Sequence, residues 1–509
     1  MTIDTLPSTD PRSGVTRSTG IEPTSDAQVA ELTAAADAAF AALRDRPRSW
    51  RAGLLRALAD GLEERRADLV ATAEAETGLA ASPRLDGELT RSAFQLRLFA
   101  DAVEEGGYLE ATIDHAGDTP MGPGPDIRRM LIPIGPVAVF GASNFPFAFS
   151  VAGGDTASAL AAGNPVIAKA HGSHPLTSRA SFEALKDAAD AYGAPEGTIG
   201  IVYGQRAGST LVADPRVAAV GFTGSLATGK ILLEIIEGRD RPIPFYGELS
   251  SLNPLIVTAA AAAARGGAIA EGLFTSFTAS AGQLCTKPGI AFLPRGTEAD
   301  DLVAAIVSRA EEAAAQPLLN SRIHEAFDEI TGRLVSDGRA RRLVSSRHGE
   351  DGFTVTPGVL EIDARDMTGS VTEEAFGPLI VLARYDDLGD VRTGLAAVPD
   401  SLTATIHAEE SDLADIAPLA ADLRELVGRL VLNGYPTGVR VSWGQHHGGP
   451  WPATNSAHTS VGVTAMRRFL RPIAWQSAPE ALLPEELRDG YDEVPRRVDG
   501  ELRLAGSPR

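Results

Sequence analysis

The chain has 509 residues, too many for one ordinary hydrophobic core, so two or three domains are expected. It is 44% apolar and 22% charged, the composition of a soluble globular protein. A net charge of −21 repels phosphate backbones, which argues against a nucleic-acid partner but leaves room for one basic pocket around a phosphorylated cofactor. Cys285 is the only cysteine, so no intrachain disulfide can form and a cytoplasmic location is the expectation.

Residues 1–26 are rich in Ser, Thr and Pro, lack the apolar run of a signal peptide, and read as a flexible, partly disordered arm. Ala27 to Gly78 reads as mostly helix, with Leu54, Leu58, Leu62 and Leu69 recurring on one face. A second helical run covers Leu85 to Glu105. Residues 111–130 carry Gly and Pro without a helical period and read as an extended arm or hairpin. Met130 to Gly154 carries no formal charge, but Pro133, Pro136, Asn144 and Pro146 interrupt it, so it is not a membrane span.

From Leu131 strands and helices alternate. Val137–Phe140, Val166–Lys169, Ile199–Tyr203, Ala218–Phe222 and Pro244–Tyr246 read as strands; Ala152–Ala162, Thr177–Tyr192 and Leu226–Glu237 read as helices between them. This βαβ rhythm predicts a parallel, doubly wound sheet. A second α/β region runs from Glu248 to about Val441, with strands at Gly289–Phe292 and Leu379–Ala383. The tail from Pro472 mixes Pro and charge and suits a segment that wraps onto a partner subunit or the first domain.

Six segments carry chemistry. Gly282-Gln283-Leu284-Cys285-Thr286 sets the lone cysteine beside a glycine and polar residues, where an exposed turn can lower its pKa and let a thiolate attack a carbonyl. An inert buried thiol is the plainer reading. Glu248, just past a strand, can activate water, or be a solvated surface carboxylate. Asn144, in Gly141-Ala142-Ser143-Asn144-Phe145-Pro146, can offer its amide to a developing oxyanion, or simply make a turn. Phe222-Thr223-Gly224-Ser225-Leu226-Ala227-Thr228-Gly229 joins a strand to a helix. Gly224 and Gly229 would let a pyrophosphate approach backbone N–H groups, although the spacing is not G-x-G-x-x-G and an ordinary turn fits as well. Lys169, after a strand, can bond ribose hydroxyls or sit solvated; His171 and His174 beside it lack a third ligand, so no metal is expected. In Glu373-Glu374-Ala375-Phe376-Gly377-Pro378, Glu374 can hold a ribose and Phe376 can pack on a nicotinamide, or the segment is a charged turn before a strand.

Taken in order, Asn144 with Phe145-Pro146, Lys169, Phe222-Thr223-Gly224-Ser225, Glu248, Gly282-Gln283-Leu284-Cys285 and Glu374-Ala375-Phe376-Gly377-Pro378 resemble the aldehyde dehydrogenase superfamily over roughly residues 25–475. Pro436–Val439, His447–Thr454 and Arg467–Pro472 resemble its branch of 2,5-dioxovalerate (α-ketoglutaric semialdehyde) dehydrogenases and an NADP-dependent bacterial fatty aldehyde dehydrogenase.

The resemblance implies an α/β fold: a Rossmann-like cofactor domain (27–110 and 131–247), a catalytic α/β domain (248–445), and a small oligomerisation arm (111–130 and 472–509) in a homodimer or homotetramer. It implies Cys285 as nucleophile, Glu248 as general base, and Asn144 with the Cys285 N–H as oxyanion hole. Lys169, Gly224, Ser225, Gly229, Glu374 and Phe376 would hold the cofactor.

This sequence departs from many relatives at three positions: Ser143 replaces a Trp, Ala170 a Pro, and Gly172 a Glu found in NAD-selective members. Without that carboxylate a 2′-phosphate is not repelled, so NADP is expected, with NAD the alternative and Arg206 and Ser173 the candidate phosphate contacts. The implied substrate is 2,5-dioxopentanoate, with a fatty or other aliphatic aldehyde as the alternative; Arg440 is a candidate anchor for an anionic tail. A CoA-acylating enzyme needs no water-activating base, which Glu248 argues against. A catalytically silent binding protein is disfavoured by the intact Cys285, Glu248 and Asn144 set.

Overall fold

In the computed structural model, which describes residues 5–44, 46–336 and 338–506, the chain opens with a hairpin where the sequence suggests a loose arm. Pro7–Thr9 pairs antiparallel with Thr16–Ser18. The polar residues that suggested disorder supply its bonds: Thr9 and Thr16 hydroxyls meet at 2.9 Å, and Ser8 donates to Glu76 at 2.8 Å. Residues 1–4 of that arm lie outside the described residues.

The helical stretch expected over 27–78 is three helices, Asp26–Leu43, Arg48–Glu64 and Arg66–Thr77. Ser25 and Gln28 close a capping box at the first. Gly78, at φ 66°, ends the third in the left-handed region that glycine occupies without strain. Leu54, Leu58, Leu62 and Leu69 join Leu89, Leu96 and Phe99 of helix Asp86–Glu105 in one apolar cluster.

The first sheet has five parallel strands in the order Phe245–Glu248, Ala219–Thr223, Val137–Phe140, Val166–Lys169, Ile199–Val202. Val137–Phe140 is buried at every position, as a strand covered on both faces requires. The chain builds outward from this strand to one side, then crosses to the other, so the order reverses between Val137–Phe140 and Ala219–Thr223. Such a switch point leaves a crevice outside the carboxyl ends of the strands. Lys169, Thr223 and Glu248 are the last residues of their strands there.

The second sheet has seven strands, Arg341–Val344, Gly358–Asp363, Leu379–Tyr385, Ile290–Pro294, Leu255–Val257, Ser401–His407 and Val427–Leu432, parallel except at its first edge pair. Segments 111–130 and 472–509, remote in sequence, meet in a third sheet. There Leu470–Gln476 pairs with Ile127–Pro133, and Arg496–Val498 with Thr112–Asp114. The architecture is thus α/β, a Rossmann-like sheet beside a second α/β unit. Met130–Gly154 resolves into strand and turn leading to helix Gly154–Ala162, and no described helix is long and apolar enough to cross a membrane.

Candidate active site

Cys285 lies in a turn that follows helix Ala259–Thr278 and the 3-10 turn Ala279–Gly282. Gly282 has φ +69°, and a Cβ there would collide with the Gly377 carbonyl, so glycine lets the cysteine turn rest on the 373–378 loop. Asn253, wholly buried, donates its amide to the carbonyls of Cys285 and Lys287, both at 2.9 Å. Its own oxygen accepts from the Ser251 hydroxyl at 2.7 Å and from Thr403, which ties the turn to the second sheet. Lys287 points its ammonium at the carbonyls of Ala375, Gly377 and Leu379, 3.0–3.2 Å away. Burial lowers the Lys287 pKa and raises that of Glu374, each opposed by the charge of the other. Glu374 also accepts the Ser251 N–H at 3.1 Å.

Three titratable groups then form a line. Cys285 Sγ lies 3.7 Å from His447 Nε2, which lies 3.8 Å from Glu248 Oε2. Glu248 closes strand Phe245–Glu248, bridges to Thr454, and is followed by Leu249, whose N–H donates to the Ala453 carbonyl at 2.8 Å. The strand end is therefore stitched to the loop that carries His447. Glu248 Oε2 is buried without a hydrogen-bond partner. Burial pushes the Glu248 pKa up to about 8, against the pull of the buried Arg468 guanidinium. The His447 N–H donates to the Thr459 hydroxyl at 2.8 Å, its carbonyl accepts from the Ser460 N–H, and its ring packs on Phe149. Burial, reinforced by Arg429 and Arg91, brings its pKa down to about 3, so the imidazole is neutral.

The cysteine departs from expectation. An exposed turn near a helix end would lower a thiol pKa, but that of Cys285 is pushed up to about 12 by burial and the Glu248 and Glu374 carboxylates, against the pull of Arg91. The sulfur is only half-buried, yet it needs a proton acceptor at hand. Glu248, reached through His447, is one.

Asn144 follows strand Val137–Phe140 and is buried. Arg84 donates to its backbone carbonyl at 2.8 Å, stacks on Phe145, and pairs with buried Glu88, whose Oε1 takes the N–H groups of Phe147 and Ala148. The Asn144 amide donates to the Gln283 carbonyl at 2.9 Å, two residues from Cys285. An amide nitrogen carries two hydrogens, so one remains for an oxygen beside the sulfur.

A family model described as "Aldehyde dehydrogenase family" matches residues 2–451. The chain belongs to the aldehyde dehydrogenase family. It is 42% identical to "Alpha-ketoglutaric semialdehyde dehydrogenase 2" of Azospirillum brasilense, over 91% of this chain and 89% of that one. It is 38% identical to the "Alpha-ketoglutaric semialdehyde dehydrogenase" of Acinetobacter baylyi, over 94% and 92%. Among solved structures, proline utilization A of Bradyrhizobium japonicum superposes with a TM-score of 0.77 at 26% identity over 90% of this chain, which spans only 45% of that longer one. Aldehyde dehydrogenase C of Pseudomonas syringae superposes at 0.79 and 22% identity, over 93% and 94%, a likeness of fold. As an aldehyde dehydrogenase, the protein oxidises an aldehyde with NAD(P).

The other predicted residues lie as follows in this dehydrogenase. Lys169 sits partly buried at its strand end, its pKa lowered by burial and by the charge of Arg322. Ser225 caps helix Leu226–Glu237 by accepting the Thr228 N–H at 3.3 Å. The Gly224 N–H donates to the Glu248 carbonyl at 3.0 Å, and a Cβ on Gly229 would come within 2.6 Å of Leu249, so both glycines dock this turn on the Glu248 strand. Phe376 is half-buried on the loop clamped by Lys287. Arg206 stands exposed in the first turn of helix Gln205–Ala213, paired with Asp26 at 2.5 Å. Ser173 accepts from Asn320 at 2.8 Å. His171 and His174 stack on each other; His171 accepts the Ser173 N–H of its own loop, and His174 bonds across to the Ala142 carbonyl at 2.8 Å. Arg440 is exposed.

Sequence reasoning gave no role to His447, Asn253, Lys287, Arg84, Arg91 or Arg429. His447 falls within the 447–454 segment that resembles the family, the one available signal. The other five reach the site from positions to which the sequence analysis attaches no chemical signature.

Proposed function

We propose that the protein is an NADP-dependent dehydrogenase of 2,5-dioxopentanoate (α-ketoglutaric semialdehyde), releasing 2-oxoglutarate by way of a Cys285 thioester. The observation that carries the chemistry is the line from half-buried Cys285 through buried His447 to buried Glu248, beside the Asn144 amide. The substrate assignment follows the name borne by both curated relatives.

The Cys285 thiol passes its proton toward Glu248, directly or across the His447 imidazole, as sulfur bonds to the aldehyde carbon. The oxyanion that forms is held by the second Asn144 N–H and the Cys285 backbone N–H, about 3–4 kcal/mol per donor. Bound NADP+ supplies the hydride acceptor that turns this adduct into a thioester. Glu248, having lost the first proton to solvent, takes another from a water that attacks the thioester; the acid leaves and the sulfur is freed. With a pKa near 8, Glu248 is a stronger base than an ordinary carboxylate.

The crevice fits the cofactor on structural grounds. It lies at the switch point of the first sheet, and Lys169 brings a partly buried cation whose charged neighbour is Arg322 rather than a carboxylate. Lys169, with Ser225 at the helix start and Glu374 and Phe376 on the clamped loop, would bind it. NADP is favoured over NAD because Gly172 offers no carboxylate, while Arg322, Ser173 and Arg206 offer donors for a 2′-phosphate; Arg206 is on the helix whose Gly208 lies against the Lys169 side chain. The sheet joining 111–130 to 472–509, with exposed Leu502, and the hairpin Gly117–Gly124, with exposed Met121 at its turn, would form the homo-oligomer contact.

The test is NADPH formation from 2,5-dioxopentanoate without CoA, with free 2-oxoglutarate as product and no turnover by Cys285→Ala. Activity retained by that variant, or an acyl-CoA product, overturns the mechanism. A higher kcat/KM for a long aliphatic aldehyde overturns the substrate.

A further inference from the structure

Two guanidinium groups lie close enough for their charge to reach the reacting sulfur, and among the described residues neither forms an ion pair with a carboxylate. Arg91, on helix Asp86–Glu105, lies 5.0 Å over the Phe149 ring, which packs in turn on His447. Its Nε and Nη2 are buried with no hydrogen-bond partner. Arg429, on strand Val427–Leu432, directs its terminal nitrogens to the carbonyls of Pro436 and Gly438 at 2.6 and 2.9 Å and leaves Nε buried and unpartnered. Both charges act on Cys285 and on His447. Of the buried arginines, Arg468 pairs with Asp155 and Arg128 with Asp126 and Asp489, while Arg496, which also lacks an ion pair among the described residues, spends its terminal nitrogens on three backbone carbonyls.

Glu88 is the carboxylate whose charge reaches Arg91, but its oxygens are already engaged by Phe147, Ala148 and Arg84. Guanidinium nitrogens buried without a partner or counter-charge cost stability, and an anion that enters the site relieves the cost. Aromatic stacking holds the Arg91 plane in place, so little is lost in ordering it when that anion binds.

We propose that Arg91 and Arg429 seat the distal carboxylate of the aldehyde and so select short anionic semialdehydes over neutral ones. This rests on the reading of the substrate as a 2-oxo acid semialdehyde. It replaces Arg440 as the anchor suggested by sequence. It also weighs against long aliphatic chains, whose methylenes would have to lie against unpaired cations.

The experiment compares kcat/KM for 2,5-dioxopentanoate and for pentanal, its uncharged five-carbon counterpart, in wild type, Arg91→Met and Arg429→Met. Wild type is expected to favour the anion. In each variant the anion-to-pentanal ratio should fall about 30- to 1,000-fold, mainly through KM, as when one partner of a buried charge pair is removed. Wild-type preference with an unchanged ratio in both variants overturns the anchor and leaves the substrate intact. No wild-type preference overturns the substrate reading and the anchor with it. Should a methionine variant fold poorly, two measurements still decide. Arg91→Lys should show a smaller fall in the same ratio, and 2-oxoglutarate should raise the Tm of wild type more than that of Arg91→Lys. An equal rise in both proteins counts against the seat.

Discussion

Because Cys285 is the only cysteine, alkylation by iodoacetamide reads a single sulfur in this chain. With its pKa near 12, the thiol should react slowly and with an unusual pH profile. At pH 8 it is ionised in about one molecule in 10⁴, against about one in four for an unperturbed thiol of pKa 8.5, a deficit of roughly 10^3.4. A more basic thiolate is also the better nucleophile; a Brønsted slope of about 0.45 over 3.5 units returns roughly 10^1.6. The net expectation is alkylation about 60-fold slower than a free thiol at pH 8, rising about tenfold per pH unit from 7 to 10 without a plateau. Glu248→Gln separates this account from intuition. Removing a base would ordinarily slow a thiol, but the Glu248 carboxylate raises the Cys285 pKa, so the variant should react faster. Glu248 is neutral well below its own pKa of about 8, so the two proteins should react alike at pH 6 and diverge above 8. Intact-mass measurement of the alkylated fraction over time gives the rates. A plateau below pH 9, or a Gln variant slower than wild type at pH 9, would refute the reasoning.

The same Glu248→Gln variant should lose the rising limb in kcat that wild type shows with a midpoint near pH 8, read from NADPH formation across pH 6–10. Its stability should move the other way: the folded pKa lies above the unfolded 4.5, so the contribution is full below 4.5 and lost as pH rises through 8, and the variant should melt above wild type at pH 9 but not at pH 5. Asn144→Ala should lower kcat about 10²- to 10³-fold with cofactor affinity, measured by nicotinamide fluorescence, unchanged.

Legibility in the sequence followed the range of the forces involved. The strands and helices of the first sheet were readable because each is set by a local pattern: Val137–Phe140 as an unbroken apolar run, Leu226–Glu237 as a helix begun by its Ser225 cap. The N-terminal hairpin was not, because Thr9 and Thr16 look like solvent-facing residues until their cross-strand bond is seen. Cys285, Glu248 and Asn144 could be singled out from short motifs. What positions them could not: Asn253 acts across 32 residues, Lys287 across 88, and the contact between Cys285 and His447 spans 162. The thiol pKa was misjudged for the same reason. A turn flanked by glycine looks open, and nothing near Cys285 in sequence reveals that Glu248 and Glu374 crowd it.

The distribution of unsatisfied charge bears on why so unreactive a sulfur is tolerable at a reacting centre. Buried ionisable atoms without a hydrogen-bond partner include Glu248 Oε2, Arg91 Nε and Nη2, and Arg429 Nε, whose charges all act on Cys285, and Arg384 Nε, which lies elsewhere. Arg384 has ion pairs to Asp300 and Glu361 through its other nitrogens; among the described residues Arg91 forms no ion pair and feels only the field of Glu88. A fold optimised for stability alone would pair or remove such groups, so their gathering around one thiol implies ligands that complete them. An anion between the guanidiniums would offset the cations that add to the effect of burial in keeping His447 neutral and that draw Cys285 toward ionisation. On that account the aldehyde's carboxylate weakens the pull of Arg91 on the sulfur while it positions the carbonyl. Proton removal then falls to Glu248, which stands next to His447 and whose pKa of about 8 lies between those of the imidazole and the thiol.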